Sequence, residues 1–150
     1  MKQLLTFLIL FLTLSLFAQP INDDCSGIID LGTAPFCDDT QIFNNVGATQ
    51  SDIGNDNFPD CWTGDPDRDV WFQFTATDTI LNYTITVTGC PDPVLGHQPI
   101  SNPQIAIYRG DICAVDELVL LDCEPDMAMP GSDVVELNPP ALTPGITYYL

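Results

Sequence analysis

The sequence predicts an all-β fold: an antiparallel β-sandwich of jelly-roll type, about seven or eight short strands, stapled by disulfides. Three observations carry that expectation. Short segments alternate apolar and polar residues with a period of two, which sends successive side chains to opposite faces of a strand. Turn formers separate the segments, with 10 Gly and 13 Pro in 150 residues, and no long stretch has helical period. Six cysteines all lie downstream of an apolar leader, which places them in an oxidising compartment.

The leader comes first. Met1-Lys2-Gln3 is a short positive start, Leu4 to Phe17 is apolar, and Ala18 is a small residue before Gln19. This is the pattern of a secretory signal peptide. An apolar run of about 15 residues falls short of the ~20 that span a bilayer. The sequence therefore predicts a signal peptide over 1–18, cleavage after Ala18, and a single secreted or cell-surface domain over 19–150. No Cys stands at the cleavage site to carry a lipid anchor.

The strands follow in order. Gln41–Val46 is a weak candidate. Val70–Ala76 puts Val70, Phe72, Phe74 and Ala76 on one face and Trp71 on the other. Leu81–Thr88 is the cleanest amphipathic segment, with Leu81, Tyr83, Ile85 and Val87 opposite threonines. Ile105–Tyr108, Leu118–Leu121, Val134–Leu137 and Ile146–Leu150 complete the set. Gly89-Cys90-Pro91, Arg109-Gly110-Asp111, Pro130-Gly131-Ser132 and Thr143-Pro144-Gly145 are the turns between them. Leu150 falls inside an apolar, aromatic strand pattern, so the chain is expected to be a fragment continuing past it.

Charge narrows the function classes. There are 21 acidic and 3 basic residues, a formal net charge of −18. Without the leader and its Lys2, only Arg68 and Arg109 are basic. Phosphate binding needs clustered Lys and Arg, so nucleic acid and anionic membrane surfaces are excluded as partners. Hydrophobic residues make up 45% of the chain, enough for a packed core rather than a disordered segment.

The acidic residues cluster in turns: Asn22-Asp23-Asp24, Asp65-Pro66-Asp67-Arg68-Asp69 and Asp122-Cys123-Glu124-Pro125-Asp126. Calcium takes six to eight oxygen ligands, which acid-rich loops between strands supply. The alternate aspartates at 65, 67 and 69 do not continue into an EF-hand loop, because Val70 stands where Gly is required. The cysteines are Cys25, Cys37, Cys61, Cys90, Cys113 and Cys123, with no CxxC pair. Proximity along the chain suggests Cys25–Cys37, Cys61–Cys90 and Cys113–Cys123, one of about 15 connectivities. Trp62 and Trp71 are candidate ligand contacts, since an outward aromatic stacks on a sugar or anchors a protein; the alternative for Trp71 is cover by a loop. His97 is the only histidine and lies in a Pro-rich loop, and no G-x-S-x-G elbow is present. Nothing assembles a nucleophile with an oriented base.

Several motifs occur in a fixed order. They are Asn22-Asp23-Asp24-Cys25; Val46-Gly47-Ala48-Thr49; Asp69-Val70-Trp71-Phe72-Gln73-Phe74-Thr75; Ile105-Ala106-Ile107-Tyr108-Arg109-Gly110 with Cys113; Leu121-Asp122-Cys123; and Leu142-Thr143-Pro144-Gly145-Ile146-Thr147-Tyr148-Tyr149. Together they resemble the β-sandwich modules of large secreted proteins from Gram-negative gliding bacteria that use type IX secretion. Those modules are similar to pre-peptidase C-terminal and collagen-binding domains. The resemblance runs from Asn22 to Leu150. It implies a jelly-roll sandwich, a non-catalytic role, and attachment to other domains of one polypeptide. It also implies calcium ligands at Asp23, Asp24, Asp67 and Asp69. The expected function is a secreted binding or adhesion module for a polysaccharide or an extracellular protein. The alternatives are an accessory domain of a secreted hydrolase and a structural spacer.

Overall fold

A computed structural model describes residues 19–36, 43–54, 57–62, 68–78, 82–89, 103–114, 117–124 and 134–150. The leader over 1–18, Cys37, Gln41, Ile42, Asp65, Asp67, Leu81, Cys90, His97 and Asp126 lie outside the described residues. The described residues are all-β apart from 3-10 turns, among them Cys25–Gly27. Among the described residues seven strands are formed: β1 (Ile29–Thr33), β2 (Phe72–Thr75), β3 (Ile85–Thr88), β4 (Ile105–Arg109), β5 (Val119–Glu124), β6 (Val134–Leu137) and β7 (Thr147–Tyr149). None of the described helical residues makes a helix long and apolar enough to cross a membrane.

Five strands make one sheet in the order β1-β2-β7-β4-β5, and β3 pairs with β6 in a second sheet. The two sheets share a core, and β6 lies against β4 and β5 in a sandwich-like arrangement. Phe74, Ile105, Ile107 and Tyr148 of the large sheet meet Val135 and Leu137 of the small one, with Ala34, Ala76, Tyr83 and Leu142 closing the sides. Burying these apolar side chains is the main force holding the sheets together.

The large sheet is buried on its other face as well. A second cluster contains Ile53, Trp71, Ala106, Tyr108, Ile112 and Leu118. β4 shows how one strand serves both cores. Ile105 and Ile107 point to the inter-sheet core, while Ala106 and Tyr108 point to the second cluster. All four are buried, whereas a strand on a two-layer sandwich exposes alternate residues. The cover on this outer face is made of loops: the N-terminal turn, the residues around Ser51 and Phe58, and the segment after β4.

Among the described residues two disulfides staple that loop layer. Cys25 in the N-terminal turn joins Cys113 in the turn after β4, and Cys61 joins Cys123 on β5. The Cα atoms are 5.5 and 6.3 Å apart, within bridging range. These pairings replace the expected Cys25–Cys37, Cys61–Cys90 and Cys113–Cys123. Nearness along the chain failed because β4 and β5 are antiparallel neighbours. Cys123 sits opposite Ala106 within the sheet, and Cys113 lies in the connection beyond the end of β4.

Three further expectations change. The sheet is not wholly antiparallel, because β1 runs parallel to β2. The sequence pattern did not single out β1, whose five residues Ile-Asp-Leu-Gly-Thr include Asp30 and Gly32. Gly32 has φ +84°, and its amide bonds to the Asp30 carboxylate, so the strand is irregular there. The weak candidate over 41–46 yields no strand at Phe43–Val46. There the Val46 amide donates to Asn44 Oδ1, a local turn that competes with a ladder.

Candidate functional site

The loop layer is organised around Trp71. Its backbone N–H donates to Asn22 O at 2.8 Å, and its carbonyl accepts from Asn22 Nδ2 at 3.1 Å and from the Ile29 amide at 3.2 Å. The indole N–H points at Ser51 Oγ, 2.8 Å away, and at Asp69 Oδ2, 2.9 Å away. Ser51 donates its amide to Asp69 Oδ1 at 3.0 Å and its hydroxyl to the Asp23 carbonyl at 3.0 Å. Asp23 is 4% exposed and accepts from the Thr49 amide at 2.6 Å and from Thr49 Oγ1 at 3.0 Å. Three segments distant in sequence are thus joined by one polar network. Among the described residues no buried side-chain polar atom lacks a partner.

Tyr108 packs beside this network, its ring centroid 5.5 Å from that of Trp71. Its hydroxyl donates to the Asn57 carbonyl at 3.1 Å. Burial pushes the ionisation of that hydroxyl well above the usual tyrosine range, and the Asp69 charge adds to the shift.

Next to the network is a cleft of about 320 Å³. Asp24, Cys25, Ser26, Ser51, Asp52, Ile53, Trp71, Ile112 and Cys113 line it. Its walls therefore come from the same three segments and from a fourth, the turn after β4 with Ile112 and Cys113, and the Cys25–Cys113 disulfide is part of its surface. Asp24 and Asp52 are exposed, whereas Ser51, Ile53, Trp71 and Ile112 are buried. The cleft thus combines an apolar interior with two carboxylates open to solvent. Gly27 closes the turn at one side, where an added Cβ would collide with the backbone carbonyl of Ile21.

The residues singled out from sequence fall into distinct places. Trp71 is 4% exposed and covered by the Ser51 loop, so its outward-facing reading as a ligand contact is corrected. The covering loop has no apolar period and was not visible as a cover. Trp62 is half-buried against the second cluster, with its indole N–H donating to Ile105 O at 3.3 Å. Asp23 and Asp69 belong to the network, and their carboxylate oxygens already accept N–H and O–H donors. Asp24 lines the cleft, and Asp67 lies outside the described residues. Among the described residues no three His, Cys, Asp or Glu side chains are grouped to hold a metal ion.

Sequence reasoning missed Ser51, Thr49, Asp52 and Ile112. The stretch 49–54 is irregular and has no periodicity to read. Its one signal was Val46-Gly47-Ala48-Thr49 in the ordered motif set. Comparison with protein-family models, with curated proteins and with solved structures finds no match to this chain.

Proposed function

We propose that the chain is a non-catalytic binding or adhesion module of a larger exported protein, and that the cleft beside the Cys25–Cys113 disulfide is its contact point for an extracellular polysaccharide or protein. The observation that carries the reading is how the cleft is built. Four chain segments, three joined by the Trp71 network and the fourth tied on by a disulfide, surround a cavity with an apolar interior and a polar mouth. Binding sites are concave, mostly apolar and largely pre-formed, with a few polar groups that set orientation. The leader pattern over 1–18, the disulfides and the resemblance to modules of secreted multidomain proteins support the same reading.

The test fills the cleft. Ser26 is exposed and lies outside the Trp71 network, so Ser26→Trp occupies the cavity without removing a structural hydrogen bond of that network. The oxidised protein and the variant are screened on a glycan array and on immobilised extracellular matrix proteins. A ligand bound by the parent and lost by Ser26→Trp, with an unchanged melting temperature, is the expected result. Absence of any ligand, or equal binding by both proteins, rejects the reading.

A further inference from the structure

We infer that the cleft takes a basic side chain, the guanidinium or ammonium of an Arg or Lys on an extracellular polypeptide; this rests on the binding role proposed above. The first ground is charge complementarity. The two exposed side chains at the cleft that can carry charge are Asp24 and Asp52, and neither Arg68 nor Arg109 lines it. With 21 acidic residues against 3 basic ones, the whole chain steers cations inward and repels acidic glycans. The second ground is shape and surface. About 320 Å³ is at the lower end of the ~300–1,000 Å³ typical of small-ligand pockets, which suits one side chain. The walls formed by Ile53, Ile112 and the Cys25–Cys113 disulfide are apolar. Arg and Lys bury such a methylene stem while the charged head stays near water and a carboxylate.

The two carboxylates and the stem-binding walls act together. The guanidinium pairs with Asp24 and Asp52, and the stem lies along Ile53 and Ile112. The experiment uses two synthetic peptides, acetyl-Gly-Arg-Gly-amide and its citrulline counterpart. Citrulline keeps the shape of Arg and removes the charge. Binding to the oxidised chain is followed by amide chemical shifts in isotope-labelled protein. The Arg peptide is expected to shift Ser26, Ile53, Ile112 and Cys113, and the citrulline peptide to bind at least tenfold more weakly. Asp24→Asn with Asp52→Asn is expected to lose at least tenfold. Asp78→Asn with Glu136→Gln removes the same charge at exposed positions elsewhere and is expected to change affinity less than twofold.

Equal binding of the two peptides overturns the inference. So does an equal loss in the control pair, or a set of shifts away from the cleft. If neither peptide binds while a glycan does, and Ser26→Trp abolishes that glycan binding, the basic-ligand inference falls and the binding role stands. If Ser26→Trp alters no binding at all, both fall.

Discussion

Trp71 has every hydrogen-bonding atom engaged: its amide and carbonyl with Asn22 and Ile29, its indole N–H with Ser51 and Asp69. Such a residue is costly to change. Trp71→Phe keeps the ring but leaves Asp69 and Ser51 short of a donor in a buried setting, and an unsatisfied buried polar group costs about 1–3 kcal/mol. Chemical denaturation should show a loss of at least that size. Asp23 permits a sharper test. Its carboxylate accepts both the amide and the hydroxyl of Thr49, so Asp23→Asn should destabilise the fold by a similar amount. Because the role is hydrogen bonding, the loss should be the same in EDTA and in millimolar calcium. A loss that appears only with calcium present would return the ion to Asp23. Tyr108 gives a pH dependence. Its folded ionisation is raised above the value near 10 of an unfolded tyrosine. The unfolded chain therefore releases this proton first as pH rises. The contribution is complete below pH ~10 and is lost on going above it. Melting temperatures between pH 9 and 11 should fall, and Tyr108→Phe should fall less steeply over the same range.

At the level of elements, the disulfides and the strands do different jobs. One bridge joins two loops over the outer face of the large sheet and the other ties a loop to β5, and neither runs strand to strand across the sandwich core. Removing a native disulfide from a small domain costs about 2–5 kcal/mol. Here the damage should be local. In a Trp62→Phe background Trp71 is the sole tryptophan. Cys25→Ser with Cys113→Ser should then raise acrylamide quenching of Trp71, with the far-ultraviolet β signal retained. Loss of the β signal together with the quenching change would show that the loop layer and the sandwich fold as one unit. The same division explains what the sequence made legible. Alternation in Val70–Ala76 correctly turned Phe74 and Ala76 to one core and Trp71 away from it, and Tyr83 and Ile85 were likewise placed inward. Periodicity could not reveal that a loop seals the far side of Trp71, because irregular chain has no period. It could not reveal β1 either, since Asp30 and Gly32 are poor strand formers and the residues that pair with β1, Phe72, Gln73 and Thr75, lie far along the chain. The acidic residues were found but their role was not: a list of carboxylates does not show that Thr49 and Ser51 already supply the donors.

The whole molecule carries its charge against its own compactness. Outside the leader two basic side chains, Arg68 and Arg109, can neutralise at most two of 21 carboxylates, so the charges in the folded domain are mostly like and repel. Self-repulsion of this kind favours solubility and opposes the compact state. What holds the domain must be short-ranged: two apolar cores, the Trp71 network and two bridges. Salt separates these contributions. The Debye length shortens from ~30 Å at 0.01 M to ~8 Å at 0.15 M, which screens long-range repulsion and leaves buried contacts almost untouched. Raising sodium chloride from 10 to 300 mM should therefore raise the melting temperature, whereas a fold held by surface ion pairs would lose stability over the same interval. Calcium chloride at matched ionic strength should do no more than sodium chloride if screening is the whole effect. A larger rise with calcium, reproduced in Asp23→Asn, would point to carboxylates outside the Trp71 network. The same titration bears on the cleft: affinity for the Arg peptide should fall as salt rises, opposite in sign to stability. Opposite salt responses in one protein would separate the charges that recruit a ligand from the contacts that hold the fold.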